Sequence, residues 1–231
     1  RLARTILDWR DDLHQALLDY DGETRGNRLF NAYGQAITAA YREDTQARSA
    51  AHDIERLERL HPEHDLEILL YRPLEADDDQ LRLRLYRRGA PMTLSDALPL
   101  LENMGVVVLD ERPYAVRADG RESAWIHDFG LQVESARELD IEQVRPLFEQ
   151  CFDACWHGRV ENDGFHQLVL AARLDWREIV ILRAYSKYLR QAGTAFSQAY
   201  IEETLVNNPR IARLLARTGM TPGHLDGCFR C

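Results

Sequence analysis

The sequence has little lysine, no paired glycines and no long apolar run, and each shortage removes a class of function. Its 13 glycines never fall as G-x-G, and no GxxxxGK[ST] occurs. A dinucleotide fingerprint and a phosphate-cradling loop are therefore absent from these 231 residues. No run of about 18 apolar residues exists, so no spanning helix is expected. Positive charge is also in deficit, with a formal net charge of −9 and a pI near 5.4. Nucleic acid and anionic membranes both attract positive surfaces, so neither is expected as a partner. Of the 29 basic residues only Lys187 is a lysine, which reads first as a coding bias toward arginine on solvated faces. With Arg1 at its start and no basic-then-apolar leader, the sequence reads as a piece of a longer polypeptide.

What the chain does have is concentrated between Leu81 and Tyr114. Leu81, Leu83 and Leu85 alternate with Arg82 and Arg84, which predicts a strand with one buried face. Thr93-Leu-Ser-Asp96 is a hydroxyl cap with an acid three residues on, and it opens a helix. Leu94, Ala97, Leu98, Leu101 and Met104 give that helix an apolar stripe, with Gly105 as its stop. Val106 to Leu109 then begins a second strand, completing a βαβ unit.

On either side of this mixed region the pattern is helical. Ile6, Trp9, Leu13, Leu17 and Tyr20 recur at helical steps before Asp21-Gly22. A second helix is predicted over 27–41 and a third over 45–60, stopped by His61-Pro62. Strands are expected over 66–72 and 123–133, where Phe129, Leu131 and Val133 alternate with polar neighbours. Asp140 caps a later helix whose stripe runs Val144, Leu147, Phe148, Cys151, Phe152, Cys155. Asp175-Trp-Arg-Glu178 opens a long helix, Thr194 another, and Asn208-Pro209 the last. The expected division is a helical region at 1–62, an α/β region at 63–137, a helical region at 138–217 and an irregular tail at 218–231.

The run GxPxxLxxxLPLLENxGxxVxDERPY, spread over residues 89–114, resembles the third ACT-type domain of the large NAD-specific bacterial glutamate dehydrogenases. Further resemblance lies in Ala40-Tyr-Arg-Glu-Asp44, Asp53-Ile-Glu-Arg-Leu57, Leu70-Tyr-Arg-Pro73, Arg183-Ala-Tyr185, Tyr188-Leu-Arg-Gln-Ala192, 195–201 and Asn208-Pro209. It implies an α+β fold, with a central ACT-like (ferredoxin-like) antiparallel sheet flanked by helical regions. An ACT domain runs βαββαβ, yet no clear strand follows the helix after 123–133. The strand at 66–72, hairpinned to 81–87, would take that place. The resemblance further implies a cytoplasmic, homo-oligomeric parent enzyme that oxidises L-glutamate with NAD. The family's substrate site uses a lysine pair, which one lysine cannot furnish, so no catalytic or NAD-binding residue is expected in this chain. The expected role is regulation and assembly; an autonomous amino-acid sensor and a ligand-free helical scaffold are the alternatives.

Candidate chemistry is sparse. Cys151-x3-Cys155-x-His157 and His224-x3-Cys228-x2-Cys231 could be drawn as metal ligands, but Cys151 and Cys155 lie on an apolar stripe and are expected to pack there. His61 and His64 read as a solvated loop, and Asp110-Glu-Arg112 as charges facing water or an interface. No metal site is expected. The one binding feature is the turn Arg88, Gly89, Ala90, Pro91 with Thr93 behind it. In ACT domains the equivalent turn, backed by a helix N-terminus, can hold an amino acid between two copies. An acidic amino acid or other metabolite effector is the implied ligand.

Overall fold

The structure is a computed structural model and describes residues 9–73, 80–133 and 139–219. Helix α1 (Trp9–Tyr33) buries Leu13, Ala16, Leu17 and Leu29 and is broken at Gly22, whose φ of +75° lies outside the right-handed helix. The second helix expected over 27–41 ends early, at Tyr33. Gly34 closes it, its amide donating to Phe30 O at 2.8 Å. A short α2 (Ala39–Asp44) then starts afresh from Thr38, whose side chain accepts from the Tyr41 N–H. Helix α3 (Ala47–Arg59) buries Ala50, Ala51, Ile54 and Leu57 as its periodicity requires, and buries Asp53 with them.

Strands β1 (Leu66–Tyr71), β2 (Gln80–Arg88), β3 (Val107–Val116) and β4 (Ala124–Gln132) form one sheet in the order β1-β2-β4-β3. The end of β2 meets the starts of β1 and β4: Arg88 N–H donates to Asp65 O at 3.0 Å and Gly89 N–H to Ser123 O at 2.7 Å. β2 is thus antiparallel to both neighbours. β1 occupies the place of the strand that the βαββαβ order lacks. As an edge strand it has backbone groups to satisfy, and helix α5 (Ile141–Trp156) does so at Leu70. Glu149 Oε1 accepts the Leu70 N–H at 2.9 Å, while Arg145 Nε donates to the Leu70 carbonyl at 2.7 Å.

Two sequence expectations about faces need correction. β2 is buried on both faces, because Arg84 and Tyr86 are as enclosed as Leu83 and Leu85. β4 is likewise buried from Ile126 to Leu131, including the polar His127 and Asp128. On helix α4 (Leu94–Asn103), the stripe is Ala97, Leu100 and Leu101, continued by Met104. Leu94 is exposed. Leucines flank both sides of this helix, so two stripes about one residue apart fit the same sequence.

The chain forms two compact units. The first comprises 9–68, 83–92 and 111–129; the second comprises 69–73, 80–82, 93–110, 130–133 and 139–219. In the second unit, Val144, Phe148, Cys151 and Phe152 of α5 are wholly buried, and each large apolar side chain so enclosed contributes about 1.5–3 kcal/mol. A 3-10 turn (Gly164–Gln167) leads into α6 (Leu168–Ala172). Helix α7 (Trp176–Gln191) follows with a complete capping box between Asp175 and Glu178. Helix α8 (Gln198–Asn207) is capped by Ser197, not Thr194, whose hydroxyl instead donates back to Leu189 O. Helix α9 (Pro209–Gly219) starts on its proline.

Candidate functional site

The turn that follows β2 is fixed by three groups of the first unit. Gly89 has φ +80°, which favours glycine, and Ser123 O accepts its N–H. The Arg88 guanidinium pairs with Glu122 at 2.6 Å. Met92 N–H donates to His127 Nε2 at 3.1 Å, so His127 carries its proton on Nδ1 and donates it to Glu111 Oε1 at 2.8 Å. Thr93 does not cap α4 through a backbone amide. Its hydroxyl donates to Asp96 Oδ2 at 2.6 Å, and that acid already supplies negative charge in the helix's first turn.

Arg88 also lines a cavity of about 220 Å³ in the first unit, shared with Tyr33, Leu57, His61, Arg121 and Glu122. Arg121 Nη2 donates to Glu58 Oε2 at 2.9 Å, and the Tyr33 hydroxyl donates to Glu58 Oε1 at 2.8 Å. Burial, and then Glu58, push the Tyr33 phenol well above its ordinary pKa, so it stays protonated. The walls therefore present two arginines whose forks are engaged by carboxylates that a competing anion could replace. Gly89, Ala90, Pro91 and Thr93 do not line this cavity; of the expected turn residues, Arg88 does.

The first unit also holds a buried ionic cluster that sequence reading missed. Asp53 of α3 accepts from Arg84 Nη1 at 2.6 Å, from the Tyr86 hydroxyl at 2.7 Å, and from the Tyr41 hydroxyl. Arg84 Nε donates in addition to Asp128 Oδ2 at 2.9 Å. Burial first, then the Asp53 charge, raises both tyrosine pKa values far above normal. The cluster ties α3 to β2 and β4. Of the Asp110-Glu-Arg112 run, Asp110 meets Arg82 at 3.1 Å, Glu111 meets His127, and Arg112 meets Asp44 at 3.0 Å. These charges pair within the chain.

The two cysteines are buried on α5, and the histidine that meets them is not His157, the one nearest them in sequence. His157 sits at the end of α5, bonded to Asp153 through Nδ1. The partner is His166 in the 3-10 turn, fully buried, with Nδ1 3.1 Å from Cys151 Sγ and Nε2 3.4 Å from Cys155 Sγ. Its Nε2–H donates to Glu161 O at 2.8 Å, beside Arg183, which is itself clamped by Asp163 at 2.5 and 2.9 Å. A hydrogen bond from Cys151, aided by His166 and Arg183, holds the Cys155 thiol below its ordinary pKa. The same bond, with burial, raises Cys151. His61 and His64 exchange backbone bonds of 3.0 and 2.9 Å around Pro62, and His64 leans on Glu67 at 2.7 Å. His224, Cys228 and Cys231 lie outside the described residues.

Comparison with known proteins gives this fold a family. Residues 16–60 match "Glutamate dehydrogenase, helical motif 2", residues 65–144 match "Glutamate dehydrogenase, ACT3 domain", and residues 160–218 match "Glutamate dehydrogenase, helical motif 3". The chain is 41% identical over 215 residues to the NAD-specific glutamate dehydrogenase of Halomonas elongata, covering 93% of this chain and 13% of that protein. It is 36% identical over 217 residues to the enzyme of the same name from Pseudomonas aeruginosa, covering 94% of this chain and 13% of the relative. For that from Mycobacterium tuberculosis the identity is 37% over 189 residues, covering 79% and 11%. The chain thus spans a small fraction of the length of these relatives. Three successive stretches match three named parts of glutamate dehydrogenases, and the chain belongs to that family as one segment of it.

Proposed function

We propose that this chain is the regulatory and assembly segment of a cytoplasmic NAD-dependent glutamate dehydrogenase. The parent enzyme converts L-glutamate, NAD and water to 2-oxoglutarate, ammonia and NADH, with its chemistry in other parts of the polypeptide. What carries the reading is similarity to NAD-specific glutamate dehydrogenases along 93% of the chain, joined to a sequence that does not fit the cofactor. There is no G-x-G to receive a pyrophosphate, and Lys187 is an exposed residue of α7 paired with Glu161 at 2.5 Å. NAD therefore binds outside these residues.

Assembly has a physical basis in the sheet. The β1 edge is closed at Leu70 by Arg145 and Glu149, whereas β3, the other edge, exposes Val107 and Leu109 at 60% and 51%. An edge strand with bare aliphatic side chains is a template for a second copy. Regulation has its basis in the Arg88 cavity, whose arginines suit the carboxylates of an acidic amino acid. The test is the mass of the chain in solution by light scattering. Wild type is expected to self-associate and V107K/L109K to run as a monomer; equal masses for the two would remove β3 from the assembly.

A further inference from the structure

We propose that Cys151, Cys155 and His166 form a binding site for a thiophilic divalent cation of the zinc class. Cys151 and Cys155 are four residues apart on α5, so their thiols lie on one face a single turn apart. His166 arrives from the 3-10 turn, and one ligand atom from each of the three residues lies within 4.8 Å of the others. All three side chains are buried. Zinc held by two thiolates and an imidazole places sulfur and nitrogen about 3.5 Å apart, from bonds of about 2.3 and 2.0–2.1 Å. The Cys151 Sγ to His166 Nδ1 separation of 3.1 Å needs to open by only a few tenths of an ångström.

The surroundings have the form of a ligand shell. A metal-bound histidine donates its second ring N–H to a carbonyl or carboxylate, which fixes its orientation. Here Nε2–H already donates to Glu161 O at 2.8 Å, leaving Nδ1 for the cation, and Cys155 Sγ, now 3.4 Å from Nε2, has to turn toward Nδ1 to complete the set. Charge closes as well. Arg183 stands against the cluster, with Nη2 3.2 Å from His166 Nε2, and its charge is matched by the bidentate Asp163. Two thiolates then balance one divalent ion. On binding, any proton still held by the two thiols passes to solvent, two sulfur–metal bonds and one nitrogen–metal bond form, and no redox change occurs. Such a site would clasp α5 to the segment that leads into α6 and α7.

The test uses the full chain, reduced and stripped of metal, as the C228S/C231S variant so that tail thiols cannot contribute. Cobalt(II) is the optical probe and zinc the competitor. The proposal predicts one cobalt per chain with a thiolate-to-cobalt charge-transfer band, displaced by zinc. C151S and C155S should each lose the band. H166N, which preserves a polar side chain in the turn, should weaken binding by at least about tenfold while circular dichroism stays helical. No band in the parent variant, a band that survives both serine substitutions, or a Cys151–Cys155 disulfide re-forming in place of metal uptake would each overturn it. So would unchanged affinity in a folded H166N.

Discussion

Replacing Asp53 by alanine should be among the most damaging single changes in the first unit. The carboxylate is 3% exposed and its Arg84 partner 10%, so neither is relieved by water. Removing it leaves a buried guanidinium without one of its carboxylate partners and two buried tyrosine hydroxyls without this acceptor. Breaking a buried pair from one side costs about 3–5 kcal/mol, and an orphaned buried hydroxyl about 1–3 kcal/mol. These losses share one site and do not add. A fall of about 3–5 kcal/mol is therefore expected for D53A. The double variant D53L/R84M, which removes both charges, should recover much of it, because apolar groups of similar volume need no partner. Urea denaturation followed by circular dichroism, run as a double-mutant cycle, measures both quantities. A D53A loss below about 1 kcal/mol, or a double variant no better than the single, would refute the reasoning.

Alkaline pH offers a second handle on the same cluster. Tyr41 and Tyr86 have folded pKa values raised above the unfolded value of about 10, so their contribution is complete below that pH and lost as pH rises beyond it. Phenolate absorbance should show these two ionising only as the helical signal collapses; early titration of all nine tyrosines would contradict the assigned burial. For the Arg88 cavity, calorimetric titration with L-glutamate or L-aspartate should give saturable heat that R88A loses. Identical heats from wild type and R88A would place any effector elsewhere.

Much of the sheet was readable before any coordinates. Alternating leucines at 81, 83 and 85, the glycine turn at 89 and the Phe129-Leu131-Val133 alternation each act locally, so β2, β4 and the hairpin partner β1 follow from short stretches. What escaped was decided by distant partners. Arg84 reads as the polar half of an alternating strand, and only Asp53, 31 residues earlier, and Asp128, 44 later, make its burial tolerable. His166 escaped because a 3-10 turn has no apolar period to mark it, while His157 stood closer to the cysteines in sequence. In α4, leucines on adjacent stripes left rotation undetermined, and packing chose Leu100 over Leu94. Within the candidate site, Arg88 was visible through its glycine-proline turn. Arg121 and Glu58, which share the cavity wall or its ion pairs, gave no local sign.

The reaction's chemistry is expected to reside outside these residues. NADH formation should be followed with the purified chain, L-glutamate and NAD, beside the full-length parent enzyme under the same conditions. Turnover is expected from the parent and a flat trace from the chain. Steady NADH production by the chain, rising in proportion to its concentration, would contradict that placement.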